Sequence, residues 1–455
     1  MKKILNVKRF KLFLLISVLA FSCFNIILSQ NPIILDQFTA DPSARVFGDS
    51  VYLYPSHDIL AGEGQGRKGW FCMEDYHVFS SANLIDWNDH GIIISQNKIK
   101  WADSTAYSLW APDCIIKNGR YYFYFPATAK DTSNGRGFSI GVSVSEKPFG
   151  PFVTQSMPIK NIHGIDPNVF IEKDGQAYLY WALGKIYAAK LEENMSELAS
   201  EPIVIAGLPD KGLIEGPFIF KRNGIYYLTY PHVQNKIERL EYATADNPMG
   251  PFDFKGVIMD ESPIGCWTNQ QSVINYRNQW YLFYHQNDLS PKFDKNRSVS
   301  IDSLFFNHDG TIRKVIPTLR GVGLTAASKQ IQIDRYSRIS DKGVSIVFIN
   351  PLNTFGGWKT VFTASDAWTQ YNSVDFGKGR YKSVNIRALS NNGGTLILRI
   401  NNPDGPVVAR ANIPKGANWN DISVPLLKIS PGIHNIILQL KQGEDSEVDW
   451  VRFDR

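Results

Sequence analysis

Four acidic residues stand at matching places in a recurring pattern. They are Asp41 in "TADPSARV", Asp113 in "WAPDCII", Asp166 in "GIDPNVF" and Glu215 in "LIEGPFIF". A fifth copy, "TNQQSVI", carries the neutral Asn269, Gln270 and Gln271. One acid before Pro or Gly is ordinarily a turn cap. A set in register differs: copies arranged about one axis would bring several carboxyls into one pocket. Like charges so placed repel, which raises some pKa values. General acid–base catalysis needs that division, with one carboxyl protonated and another ionised.

The elements that would position these acids are β-hairpins. Each acid precedes a strand, a turn and a second strand of alternating aromatics: "SARVFGDSVYLYPSHD", "CIIKNGRYYFYFPA", "NVFIEKDGQAYLYWAL", "PFIFKRNGIYYLTYPH" and "SVINYRNQWYLFYHQ". Turn chemistry and period-2 alternation both predict hairpins. The turn residues Gly48, Gly119, Gly175, Gly224 and Asn278 recur roughly every 50 to 70 residues, the period of a β-propeller blade. A second repeat, "SVSEKPFGPF" and "ATADNPMGPF", marks outer blade strands, with "SSANLIDWNDHG" in the equivalent slot of the first unit. Five hairpins predict a five-bladed propeller. A β-sandwich is the alternative, but it lacks a 50-residue period. In a propeller the residue that starts each innermost strand lies near the axis.

Of 455 residues, 44% are apolar and 20% charged, the balance of packed globular domains. Aromatics reach 13%, which suits strand cores and also sugar stacking. "MKKILNVKRFK" followed by "LFLLISVLAF" reads as a secretory signal ending near Ser29, too short for a permanent membrane span. A secreted or periplasmic protein is therefore expected; lipidation at Cys23 is the weaker rival, because "LAFSC" is a poor lipobox. Residues 1–29 hold five basic residues and no acid, so their loss takes the net charge from +5 to zero. The basicity thus gives no support to a nucleic-acid partner. Cys72, Cys114 and Cys266 are scattered and odd in number, which predicts buried free thiols and neither a disulfide framework nor a metal site.

From Pro32 to Leu319 the chain resembles glycoside hydrolase family 43, in "ADPSARVFGDSVYLY", "YHVFSSANLIDWNDHG", "LWAPDCIIKNGRYYFYF", "IDPNVF", "IEGPF", "WYLFYH" and "RSVSIDSLFFNHDGTI". The resemblance implies a five-bladed propeller that hydrolyses arabinosides or xylosides with inversion. It makes Asp41 the base that activates water, Glu215 the acid that protonates the leaving oxygen, and Asp166 the residue that tunes and orients Glu215. Inversion sets the two catalytic carboxyls about 6.5–9.5 Å apart, to admit water. Asp113 has no catalytic role in it. The resemblance places Trp110 and Arg297 at the sugar pocket and His285 beneath it, with no cofactor required and a calcium ion held mostly through water in some members. Gln270 and Gln271 depart from the usual family residues and suit sugar hydroxyls. The Gly-rich insert 59–77 either walls the pocket into an exo-acting site or is a plain loop. A terminal α-L-arabinofuranose on plant polysaccharide or oligosaccharide is the expected substrate. β-Xylose and exo-β-galactosidase activity are alternatives, as is a non-catalytic glycan-binding propeller.

Residues 30–320 are thus assigned to the propeller, 321–338 to a connector and 339–455 to a second all-β domain. That last part has short alternating strands and Gly/Pro/Asn turns, the pattern of a β-sandwich jelly roll. It resembles a family 6 carbohydrate-binding module in "YNSVDFG", "GPVVARANIP", "PGIHNIILQL" and "VDWVRF". The resemblance puts Trp419 in a sugar-stacking loop with Tyr371 as partner. Glu447 stands where relatives carry Asn, and the acidic start that helps hold calcium is not evident near Ile339, so a structural brace is the alternative.

Overall fold

The computed structural model describes residues 30–131 and 137–455. The leader and Cys23 lie outside the described residues. The first four blades each hold four antiparallel strands. Blade 1 is β1 (Ala40–Phe47), β2 (Ser50–Ser56), β3 (Asp75–Ser81) and β4 (Asn88–Ser95). Blade 2 is β5 (Asp113–Lys117), β6 (Arg120–Thr128), β7 (Phe138–Ser145) and β8 (Val153–Thr154). Blade 3 is β9 (Ile165–Ile171), β10 (Ala177–Ala182), β11 (Ile186–Leu191) and β12 (Ile203–Val204). Blade 4 is β13 (Phe218–Arg222), β14 (Ile225–Val233), β15 (Glu238–Ala245) and β16 (Asp253–Met259). Blade 5 has β17 (Ser272–Tyr276), β18 (Gln279–Gln286) and β19 (Ser298–Leu304). The N-terminal segment runs beside β19 and closes the ring: Ile33 N–H donates to Val299 O and Thr39 N–H to Arg297 O, both at 2.9 Å.

The aromatic alternation has a direct use. Every blade is packed on both faces, so both faces of its second strand are apolar. On β6, Phe123 and Phe125 enter the core shared with blade 1, while Tyr124 enters the core shared with blade 3. Five such cores lie between successive sheets, each gaining stability at about 25 cal/mol per Å² of apolar surface. The outer-strand repeat is latched from the neighbouring blade: Tyr54 Oη donates to Pro148 O at 2.6 Å and Tyr180 Oη to Pro248 O at 2.5 Å.

An innermost strand exposes one edge of backbone donors to the axis, which must be satisfied. Side chains of the adjacent blade do this. Asp113 accepts Val169 N–H (2.7 Å), Asn168 accepts Ile219 N–H (3.0 Å), and Ser272 Oγ accepts Ala44 N–H (3.0 Å). Asp113 also binds Ser43 Oγ at 2.6 Å and the Arg45 guanidinium at 2.9 and 2.5 Å. This corrects the expectation that Asp113 joins the axial acids. With Pro42, Pro112 and Pro167 aligned, Ala111 takes the Asp41 place and Asp113 falls two residues later, in the interblade ring.

The C-terminal part is a sandwich of two sheets around one core of residues such as Phe362, Leu398, Leu438 and Phe453. Three short strands, Thr325–Ala326, Ile331–Gln332 and Arg338–Ile339, pair into those sheets, so most of the expected connector belongs to the sandwich. The two domains share a small apolar cluster, Phe38, Leu289 and Trp358. Arg335 lies over the Trp358 ring, 3.9 Å from its centroid, and donates to Asn31 O at 3.2 Å. Cys72, Cys114 and Cys266 are buried free thiols. Among the described residues no helix is long and apolar enough to cross a membrane.

Candidate active site

Asp41 and Asp166 each sit in the second position of an innermost strand, at a break in the pairing register. Both have left-handed backbone, φ 46° and 57°. Such a bulge turns a side chain out of the pleat and toward the axis. Non-glycine residues adopt it uncommonly, Asp and Asn more readily than most, and it recurs at functional sites as well as in turns. Glu215 reaches the same pocket by a different route: Gly216, at φ 50°, makes the turn for it. Gly216 N–H donates to Asp166 Oδ2 at 2.9 Å and so ties the two acids together. A Cβ on Gly216 would lie 2.9 Å from Pro231 and 3.0 Å from Gln270. Gly216→Ala is therefore expected to cost about 1–2 kcal/mol of stability through its left-handed backbone. It should also lower kcat about 10- to 100-fold by displacing Glu215; thermal unfolding and steady-state kinetics check both.

The pocket these residues share has a volume of about 180 Å³. Asp41, Asp166 and Glu215 line it, with Trp110, Gln270 and Arg297. Its aromatic wall is Trp70 and Phe71, from the Gly-rich insert, together with Trp267. The insert thus walls the pocket. Trp70, Phe71, Met73 and Trp267 went unrecognised as site residues in the sequence because they come from loops that follow no repeat.

Arg297 organises one side of the pocket. Its guanidinium grips Asp41 with both ends, Nη1 to Oδ1 at 2.8 Å and Nη2 to Oδ2 at 3.1 Å. It grips Asp58 in the same way, Nε to Oδ2 and Nη2 to Oδ1, both at 3.0 Å. Burial works against its charge, yet the two aspartates hold its pKa above the ordinary value. Ser56 Oγ adds a third bond to Asp41 Oδ2 at 2.7 Å. A carboxylate has about four lone-pair sites, so Oδ2 is filled while Oδ1 keeps one for a further donor.

His285 lies beneath the pocket, where the resemblance puts it, but neither it nor Gln271 lines the pocket, so neither is in place to touch the sugar directly as a substrate-binding residue. His285 Nδ1 accepts Asp41 N–H at 3.0 Å, which leaves the proton on Nε2, 3.1 Å from Thr268 Oγ1. Burial and Arg297 push its pKa down to about 3, so the ring is neutral. With Nδ1 filled and Nε2 protonated, His285 has no lone pair for direct metal ligation; it holds the Asp41 backbone. Gln271 Nε2 donates to Gly216 O and Thr229 Oγ1, both at 3.0 Å, and fixes the Glu215 turn.

The other side of the pocket is a cluster of carboxyls. Burial raises the pKa of Glu215, and Asp41 adds to it. Burial raises Asp166 well above its ordinary value, with Glu215 and then Asp41 contributing. A further acid, Glu238, opens β15 and is buried. Burial and the charge of Glu215 raise it well above its ordinary value too. Glu238 Oε2 accepts Asn269 N–H at 2.6 Å, and the Glu238 and Glu215 side chains share a hydrogen bond that raises Glu238 and lowers Glu215. These three titrate as one set. Glu238 went unrecognised in the sequence because it starts a third strand, outside the innermost-strand repeat.

In the sandwich, the two expected sugar-binding residues are placed otherwise. Tyr371 is a core residue, its ring beneath Arg320 and its hydroxyl 2.9 Å from Thr325 Oγ1, with no face to offer. Trp419 lies within strand Gly416–Pro425 and not in a loop. Lys359 and Arg387 stand over its ring at 5.9 and 5.7 Å.

Comparison with known proteins agrees with this architecture. Residues 29–312 match the model of glycosyl hydrolases family 43, and residues 337–455 that of carbohydrate binding module family 6. A xylosidase/arabinosidase of Bacteroides ovatus is 35% identical over 319 residues, 60% of this chain and 94% of that protein. An arabinoxylan arabinofuranohydrolase of Bacillus subtilis (strain 168) is 26% identical over 473 residues, 90% of this chain and 88% of that protein. Among solved structures, a family 43 β-xylosidase/α-arabinofuranosidase from a compost microbial metagenome, in complex with xylotriose, superposes with a TM-score of 0.57. It is 34% identical, and the match covers 64% of this chain and 98% of that one. The protein is a glycoside hydrolase of family 43, a five-bladed propeller followed by a β-sandwich of carbohydrate-binding module family 6.

Proposed function

We propose that the enzyme removes single terminal pentoses, foremost α-L-arabinofuranose, from plant polysaccharides or oligosaccharides with inversion, acting outside the cytoplasm. The observation that carries this is the asymmetry of the carboxyls. Asp41 is paired with a guanidinium and keeps one lone pair on Oδ1, as a base needs to accept a proton from water. Glu215 sits among other acids, with no backbone N–H donated to it among the described residues, as an acid needs to keep its proton. Asp166 accepts the Gly216 N–H, which favours its ionised form against the burial that raises it. Base on one side and acid on the other give single displacement by water. The small aromatic pocket supports release of one sugar from a chain end. The reaction is acid–base throughout and calls for no cofactor.

Release of β-xylose is the second reading, favoured by relatives at 34–35% identity that carry both activities in their names. Turnover of nitrophenyl α-L-arabinofuranoside, β-D-xyloside and β-D-galactoside, with the first-formed anomer followed by NMR, tests the proposal. Arabinofuranoside should be the best substrate, giving sugar of opposite anomeric configuration. Retained configuration would overturn the mechanism, and absence of turnover on all three would point to a binding protein.

A further inference from the structure

The loop that carries the pocket-wall residues leaves the sheet at the end of β2 and returns at β3. His57 is the first residue of that loop, Asp75 opens β3, and His77 follows on the same face of that strand. Their ligand atoms all lie within 4.8 Å of one another. His57 Nδ1 is 2.6 Å from Asp75 Oδ1, and His77 Nε2 is 4.0 Å from the same oxygen. The other nitrogen of His77, Nδ1, is 2.9 and 3.1 Å from the two oxygens of Asp89 on β4. Asp89 is itself held by Gln37 Nε2 at 3.2 Å and Gly91 N–H at 2.7 Å.

We propose that His57, Asp75 and His77 bind a zinc-class divalent ion that clasps the base of the pocket-wall loop. Three features favour this over an ordinary cluster of ion pairs. First, Asp89 accepts a hydrogen bond from His77 Nδ1–H and so turns the Nε2 lone pair toward Asp75. An outer carboxylate of this kind orients and strengthens a metal-binding imidazole. Second, the donor set is two imidazoles and one carboxylate, which suits zinc and its neighbours and not calcium, whose ligands are oxygens. Ligand bonds of about 2.0–2.2 Å put donor atoms about 3.3 Å apart, so each need move by less than about 1 Å. Third, the side chains are 17%, 8% and 15% exposed, which leaves room for water to complete the shell. None of the three lines the sugar pocket.

The consequence concerns the loop. Between His57 and Asp75 the chain carries Trp70, Phe71 and Met73 into the pocket. Its stem is held by Ile59 N–H to Cys72 O at 2.9 Å and Gln96 N–H to Glu74 O at 2.8 Å. A metal bridge across the stem would restrict the loop further, by the same closure argument that applies to any crosslink.

The test uses the full-length protein, stripped of metal with a chelator and titrated calorimetrically with zinc chloride. One equivalent should bind, Tm should rise at saturation, and tryptic cleavage at Arg67 and Lys68 in the loop should slow about tenfold. His57→Gln/His77→Gln should weaken binding more than 100-fold, and Asp89→Asn about 10- to 100-fold. Asp89→Asn leaves all three ligands in place and carries the test should the double variant not fold. The absence of saturable binding would sink the site, as would equal affinity in these variants. Binding with unchanged loop cleavage would sink the clasp.

Discussion

Asp41→Asn is expected to lower kcat about 10³-fold while KM stays within about threefold of wild type. The amide cannot take a proton from water, but the frame around it survives. Arg297 keeps both of its bonds to Asp58, and His285 still accepts the residue 41 N–H. The change therefore falls on chemistry and spares folding. A second readout distinguishes a base from a merely structural residue. The charge of Asp41 helps raise the pKa of both Glu215 and Asp166. Removing it should shift the basic limb of the residual kcat–pH profile to lower pH, because an acid catalyst is lost as pH rises through its pKa. More than a tenth of wild-type activity, or an unmoved limb, would show that Asp41 is not the base.

What the sequence revealed and what it hid follow one rule. Features tied to the blade repeat could be read. The hairpins, the five blades and the register of Asp41, Asp166 and Glu215 all repeat, and repetition substitutes for three-dimensional information. Even there the register rests on the prolines: with Pro42, Pro112 and Pro167 aligned, Asp113 falls two residues past the axial position, in keeping with the lack of a catalytic role that the resemblance implies for it. Features without a repeat were illegible. Trp70 and Trp267 come from irregular loops, and Glu238 from a third strand whose alternation says only that it is half-buried. Period 2 separates the two faces of a strand but does not say which face meets a neighbour. For that reason Tyr371 read as a binding residue when it is core. Gln271 suited sugar hydroxyls by its side-chain type and His285 stood near the axis by its register, yet their bonds run to the backbones of Gly216 and Asp41, where they support the catalytic groups from behind.

Glu215→Gln should produce a loss that depends on the leaving group, and this is the sharpest test of its role. A sugar oxygen departs poorly as an alkoxide, so turnover of arabino-oligosaccharide should fall about 10³-fold. Nitrophenolate departs without a proton, so nitrophenyl arabinofuranoside should lose less than about tenfold. Equal losses on both would mean that Glu215 is not the acid. The same variant should be more stable than wild type at neutral pH. The pKa of Glu215 is raised in the folded protein, so its ionised form is disfavoured there, and that cost is full above the raised value. As pH falls toward the ordinary 4.5 the folded protein takes up the proton and the cost disappears. The gain in Tm of Glu215→Gln should therefore be largest at pH 7–8 and shrink toward pH 4.5. Glu238→Leu extends the argument to the acid that the repeat did not reveal. The charge of Glu215 raises Glu238, while the hydrogen bond between the two side chains lowers Glu215. A residue 238 that cannot make that bond should move the basic limb of the kcat–pH profile to higher pH, because Glu215 then keeps its proton further up the pH scale; an unmoved limb would show that the two carboxyls are not coupled.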